Sequence, residues 1–201
     1  MKQLLFPRMA WRSAVAALTL YGASVSLAQA AEVSGVVLPE GTKVGEQSLV
    51  LNGAGMRALA VFRVYVIGMY LPHRASSPAE VLDMPGPKRL QLVLMRDVDG
   101  EDFGRVLGKG MADNLSAQEM AALQPRVDQL KKAMALRGEA SKGSLVILDY
   151  APDSGTHITI NGMSLGNDIP GEDFYKGLLK VWLGPRPAGD YLKRELLGQT
   201  G

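Results

Sequence analysis

The stretch Val61-Phe62-Arg63-Val64-Tyr65-Val66-Ile67-Gly68-Met69-Tyr70-Leu71 decides the fold. β-Branched and aromatic side chains crowd it, and such residues fit a pleated surface better than a helix. It predicts one long strand, stopped by Pro72. Working outward, Arg89–Asp97 predicts a second strand, with Leu90, Leu92 and Leu94 on alternate positions. Upstream, Val33–Leu38 and Gln47–Leu51 read as two short strands joined by the turn region Gly41–Gly45. Between Leu51 and the long strand, Gly53-Ala54-Gly55 reads as a tight loop. Downstream, Ser144–Tyr150 and Thr156–Asn161 predict an antiparallel hairpin about Pro152–Gly155.

The remaining segments carry a helical period. Glu101–Leu115 predicts a helix weakened by Gly104, Gly108 and Gly110. Ser116-Ala117-Gln118-Glu119 is a capping box. The helix behind it spaces Met120, Leu123, Val127, Leu130 and Met134 three and four apart, which makes one buried stripe. Pro125 is expected to kink or split that helix. Glu172–Leu183 predicts a helix ended by Gly184-Pro185, and a last short one runs from Gly189 to Leu197. Trp182, beside Leu178, Leu179 and Leu183, reads as core. Strands, then helices, then a hairpin, then helices define an α+β domain, an antiparallel sheet with helices over one face.

Composition narrows the chemistry. The 201 residues are 47% hydrophobic and 21% charged, enough apolar surface for a core, which excludes disorder over most of the chain. Cysteine is absent, which excludes disulfides, thiolate metal sites and cysteine nucleophiles. His73 and His157 are the only histidines and read as surface or turn residues, so no metal site is expected. Lys2, Arg8 and Arg12 precede an apolar run from Ser13 to Leu27 and the tripeptide Ala28-Gln29-Ala30. A basic start, a short apolar run and an A-x-A site predict a Sec-type signal peptide over residues 1–30, leaving one domain over 31–201. The apolar run falls short of the roughly 20 residues a spanning helix needs, so no stable span is expected after cleavage. The leader removes three of 22 basic residues and none of the 20 acids. The remaining chain is near neutral, with no footprint for nucleic acid. The expected location is periplasmic or secreted.

Three motifs invite a site. Gly53-Ala54-Gly55-Met56-Arg57-Ala58 matches the dinucleotide fingerprint, but a strand follows it where a helix must hold the pyrophosphate. No acid stands about 20 residues on, so no nucleotide cofactor is expected. The acidic run Asp97–Asp102 lacks the ligand spacing of a calcium loop and suits the N-terminus of the next helix. Arg57 follows the glycines, and on the long strand Arg63, Tyr65, Ile67 and Met69 fall on one face, with Phe62, Val64, Val66 and Tyr70 on the other. A tyrosine hydroxyl on an apolar face needs a partner, and a cleft for an amphipathic ligand would supply one.

Leu51-Asn52-Gly53-Ala54-Gly55-Met56-Arg57 followed by Val64-Tyr65-Val66-Ile67-Gly68-Met69-Tyr70-Leu71 resembles the chalcone isomerase superfamily. Ile169-Pro170-Gly171, Asp173-Phe174-Tyr175, Trp182-Leu183-Gly184 and Leu192-Lys193 look like its bacterial, secreted branch. The resemblance spans residues 32–198 and implies an open-faced β-sandwich, a curved antiparallel sheet with a layer of helices and a ligand cleft between them. In the plant isomerases an arginine after the Gly-Ala-Gly turn neutralises the anionic flavonoid, and Arg57 holds that position. A threonine on the next strand assists in those enzymes, and Tyr65 stands in its place here. The plant tyrosine and asparagine fall on Phe103 and Gly110, and a late hydroxyl position falls near Phe174 or Tyr175. With no group at 103 or 110 to hold water or a ketone, the resemblance implies weakened catalysis. The Arg57 and Tyr65 pair instead looks like the fatty-acid-binding members, where it grips a carboxylate. The expected function is non-catalytic binding of a small amphipathic carboxylic acid such as a fatty acid. Arg57 and Tyr65 are its ligand-binding residues, and Ile67, Met69 and Phe103 line its cleft. An isomerase or intramolecular lyase using Arg57, and a structural or partner-binding protein with a vestigial cleft, are the alternatives.

Overall fold

The computed structural model describes residues 30–199, so the expected leader lies outside the described residues apart from Ala30. The chain opens with β1 (Ala30–Val33), β2 (Val36–Pro39), β3 (Gly41–Val44), β4 (Gln47–Leu59) and β5 (Phe62–Leu71). Helix α1 (Pro78–Asp83) leads to β6 (Lys88–Leu94), β7 (Val98–Asp99), α2 (Gly100–Asn114), α3 (Ala117–Arg137) and β8 (Glu139–Ala140). The rest is β9 (Leu145–Ala151), β10 (Gly155–Ile160), β11 (Met163–Ser164), α4 (Glu172–Leu183) and α5 (Asp190–Leu196).

Seven strands form one antiparallel sheet in the order β11-β10-β9-β6-β5-β4-β3. It curls strongly. Arg89 on β6 reaches Thr42 on β3, three places away in strand order, its Nη1 donating to Oγ1 at 2.6 Å. The curl gives two cores. One face carries Tyr65, Ile67 and Met69 against Phe103, Trp182 and Leu192 of the helices. The other carries Leu49, Leu51, Val66 and Tyr70 against Leu38 of the β1–β2 hairpin. This is the antiparallel sheet with helices on one face that the α+β reading predicts, curved as the family resemblance implies.

Several local expectations are corrected. Val33–Leu38 is not one strand. Ser34 and Gly35 turn at φ 51° and 81° and fold it into the β1–β2 hairpin. Gly41–Val44 is itself a strand, paired with β4. Gly53-Ala54-Gly55 lies inside β4 rather than in a loop, and the chain turns later, at Ala60-Val61. Pro125 sits inside α3, which runs on through it. The buried stripe Leu123, Val127, Leu130 and Met134 lies on both sides of the proline and holds the two halves on one core. In α2 the glycines that weaken propensity let α3 approach. A side chain at Gly104 or Gly108 would collide with Lys131. The expected caps are present. Ser116 and Glu119 bond each other's backbone N–H groups, and Asp99 accepts from the N–H of Asp102 at 2.9 Å.

Candidate functional site

The site begins with an irregularity in β4. Leu51 pairs with Tyr70 and Gly53 with Met69, so Asn52 is an extra, bulged residue. In an even strand Arg57 would share the face of Leu49 and Leu51. The bulge reverses the parity beyond it. Gly53, Gly55 and Arg57 then stand opposite Met69, Ile67 and Tyr65, on the side covered by the helices. Asn52 also explains why the bulge is stable. Its Nδ2 donates to Ala75 O at 3.0 Å and to Leu196 O at 2.7 Å, and its Oδ1 accepts from Ala75 N at 2.7 Å. One buried amide thus ties β4, the loop after β5 and the end of α5. The sequence motif contains Asn52, but its partners lie 23 and 144 residues away.

A second irregularity follows. Arg57 pairs with Tyr65 but Ala58 with Arg63, so Val64 is extra on β5. Val64 packs on the helix-side core, and Arg63 is exposed. Arg63 therefore leaves the face it was expected to share with Tyr65, Ile67 and Met69.

α5 lies directly over the glycines. A side chain at Gly53 would meet the backbone carbonyls of Glu195 and Leu196, and one at Gly55 would meet the Glu195 carboxyl and Leu192. The glycines of the apparent nucleotide fingerprint are places where a helix touches a strand. Burial raises the Glu195 carboxyl above its ordinary range, against the lowering effect of the Met56 N–H.

Arg57 and Tyr65 are a cross-strand pair at the end of this covered surface. Such neighbours place their Cβ atoms about 5 Å apart. Arg57 is half-buried, with Nη1 donating to Ala58 O at 3.0 Å, and it forms no salt bridge with any described carboxylate. Tyr65 is buried. Its hydroxyl oxygen accepts from Trp182 Nε1 at 2.9 Å. The hydroxyl expected to need a ligand thus has a partner inside the fold, 117 residues along the chain. Burial pushes the phenol up to about 12, although Trp182 and the charge of Arg57 both pull it down. It stays protonated at neutral pH, and its own hydrogen remains available to an acceptor.

The other expected site residues are placed as follows. Phe103, on the first turn of α2, meets the Tyr65 ring edge-on at 6.5 Å between centroids. Ile67 and Met69 lie wholly inside the core, under α5, so the cleft expected between sheet and helices is closed at that depth. Gly110 faces Val181, where a side chain would collide. Phe174 and Tyr175 are buried in α4, and the Tyr175 hydroxyl donates to Leu148 O at 3.0 Å. Two surface grooves lie elsewhere. One of about 290 Å³ is lined by Asn52, Arg74, Glu80 and Leu197. One of about 440 Å³ is lined by Leu82, Leu115, Leu123, Lys176 and Lys180. Neither is lined by Arg57 or Tyr65.

His157 is more engaged than a bare surface residue. Its Nδ1 lies 2.6 Å from Asp168 Oδ1, and Ser164 Oγ lies 3.1 Å from its Nε2. The order is that of a serine-hydrolase triad. It stands on the exposed β10–β11 edge with neither groove beside it, and it fastens that hairpin to the loop behind it. Among the described residues no group of three His, Cys, Asp or Glu could hold a metal ion, and no helix is long and apolar enough to cross a membrane.

The family model described as chalcone isomerase-like matches residues 30–198. The chain belongs to the chalcone isomerase-like family. No curated protein matches this chain. Among solved structures, a fatty-acid binding protein from Arabidopsis thaliana has the same fold, with a TM-score of 0.59 and 13% identity. The alignment covers 81% of this chain and 92% of that one. In this chain Arg57 and Tyr65 are a cross-strand pair, set on the helix-covered side by the Asn52 bulge.

Proposed function

We propose that this chalcone isomerase-like protein is an exported, non-catalytic binding protein for a small amphipathic carboxylic acid such as a fatty acid. One observation carries the reading. Arg57 has no carboxylate partner among the described residues and stands beside a protonated Tyr65 at the edge of an apolar core. A guanidinium offers a fork of donors that matches a carboxylate, and it keeps its charge at any physiological pH. With Nη1 partly engaged by Ala58 O, Nε, Nη2 and the Tyr65 hydroxyl hydrogen remain to grip the acid. The hydrocarbon body would lie along Phe103 and Val64 and reach Ile67 and Met69 as α5 lifts from β4. The similar Arabidopsis structure is that of a fatty-acid binding protein, which supports the ligand class.

Binding is favoured over isomerisation by what stands in the positions that resemble the plant catalytic residues. Phe103 packs on Tyr65, and Gly110 makes room for Val181. Neither brings a group that could hold water or polarise a ketone. The basic start, the short apolar run and Ala28-Gln29-Ala30 support export with cleavage after Ala30. Native mass spectrometry of protein purified from its own host tests the reading. A co-purified mass equal to a carboxylic acid is expected, and lost in Arg57→Ala. A ligand that is retained in Arg57→Ala or carries no acid group contradicts it.

A further inference from the structure

The β4–β5 hairpin breaks a local rule that the other hairpins among the described residues obey. Their turns are polar and carry glycine: Ser34-Gly35, Gly45-Glu46, Pro152-Asp153-Ser154 ahead of Gly155, and Asn161-Gly162. The β4–β5 turn reads Leu59-Ala60-Val61-Phe62. Ala60 adopts φ 50°, a left-handed conformation that glycine or asparagine reaches more cheaply. Leu59, Val61 and Phe62 are 55%, 86% and 61% exposed, so no described residue covers them. Nothing in the folding of the domain accounts for apolar residues here, and a locally unfavourable choice without a packing return marks function.

The hairpin also projects. β6 pairs with β5 only from Tyr65, opposite Leu94, and Met95 N bonds Val64 O. Ala58, Leu59, Phe62 and Arg63 therefore extend past the sheet as a two-stranded finger, joined only to each other. Its charge is one-sided. No acid occurs between Glu46 and Glu80, whereas Arg57 and Arg63 flank the tip. Exposed Arg96 follows Met95 on the neighbouring strand end. The adjacent Asp97 is turned away, accepting from Lys142 N at 2.7 Å.

We propose that this finger docks the protein on an anionic lipid surface, with Leu59, Val61 and Phe62 entering the headgroup boundary and Arg63 and Arg96 meeting lipid phosphates. A projecting apolar tip flanked by arginines suits a fluid interface that closes around it. The docking goes beyond acid binding and does not depend on it, although Arg57 at the base of the finger would then face the lipid.

The absence of cysteine allows a single-site test in the full chain. Val61→Cys and, as a control on the β9–β10 turn at the opposite end of the sheet, Ser154→Cys are each labelled with a polarity-sensitive fluorophore. They are then mixed with vesicles of phosphatidylcholine, alone or with phosphatidylglycerol, free of fatty acid. The label at 61 should shift to the blue on anionic vesicles and be quenched by lipid-borne bromine, while the label at 154 stays in water. Phe62→Asp or Arg63→Glu, introduced beside the label at 61, should each raise the lipid concentration for half-maximal shift by about tenfold or more. A label at 61 that stays in water overturns the proposal and leaves a protein partner as the occupant of the tip. Equal shifts at 61 and 154, or equal shifts on neutral and anionic vesicles, overturn it as well. Because no acid is present, each result is read apart from ligand binding at Arg57.

Discussion

Replacing Asn52 by alanine removes the residue that both makes the bulge and fastens α5. Three hydrogen bonds are lost, to Ala75 O, Leu196 O and Ala75 N. At about 1 kcal/mol net for each, the direct loss is about 3 kcal/mol. The Ala75 N–H is then left in a buried loop without its acceptor, which adds about 1–2 kcal/mol. The expected cost is therefore about 4–5 kcal/mol, at the upper end for a single substitution. With a urea slope of about 2 kcal/mol/M, the midpoint should fall by about 2 M. Asn52→Asp keeps the acceptor for Ala75 N but loses both donors and buries a charge, so it should do no better than alanine. Hydrogen exchange localises the effect. Amides of α5 and of Ala75 should lose protection before those of β5 or β6, because the amide side chain is their shared tie. A loss below about 1 kcal/mol, or an exchange pattern that spares α5, would refute the reasoning that Asn52 holds that helix on β4.

Other substitutions separate packing from polarity. Gly53→Ala should destabilise by about 1–3 kcal/mol, and Gly55→Ala by less. The first meets the α5 backbone, whereas the second mainly meets the movable end of Glu195 and a Leu192 methyl; equal midpoints in urea would contradict this. Tyr70→Phe should be neutral or stabilising, because the Tyr70 hydroxyl is buried without a partner among the described residues; a clear loss of thermal stability would show that it has one. Glu195 has a raised pKa, so the fold favours its protonated form. Its favourable contribution is full below the unfolded carboxyl pKa and falls as pH climbs from there through the folded one. Stability of Glu195→Gln measured from pH 4 to 8 should lack that decline, and an unchanged profile would remove Glu195 as its source.

Much of this architecture is legible in the chain because its signals are local. The long strand through Tyr65, the Ser116 capping box and the hairpin near Pro152 follow from residue chemistry within a few positions. What stays hidden has distant causes. Val33–Leu38 alternates well enough to mask the Ser34-Gly35 turn, whose need arises only from Leu38 folding back onto the sheet. The glycines at 53 and 55 look like a loop because the helix that requires them lies some 140 residues on. The Tyr65 hydroxyl looks unpartnered because Trp182, read as plain core, supplies its N–H. Arg57 and Tyr65 are individually visible, but their pairing depends on the bulge at Asn52, which strand periodicity alone does not reveal.

The central claim is that Arg57 receives a carboxylate. Titration calorimetry of a medium-chain fatty acid and its methyl ester, into wild type and Arg57→Ala, tests it most directly. A charge-assisted hydrogen bond contributes roughly 1.5–3 kcal/mol, so Arg57→Ala should weaken the acid by about 10- to 100-fold. Tyr65→Phe, which loses one neutral donor, should cost on the order of 1 kcal/mol. The ester should bind wild type more weakly than the acid does, and bind Arg57→Ala about as well as the acid does. If Arg57→Ala holds the acid as tightly as wild type, the carboxylate does not sit at Arg57 and the account fails.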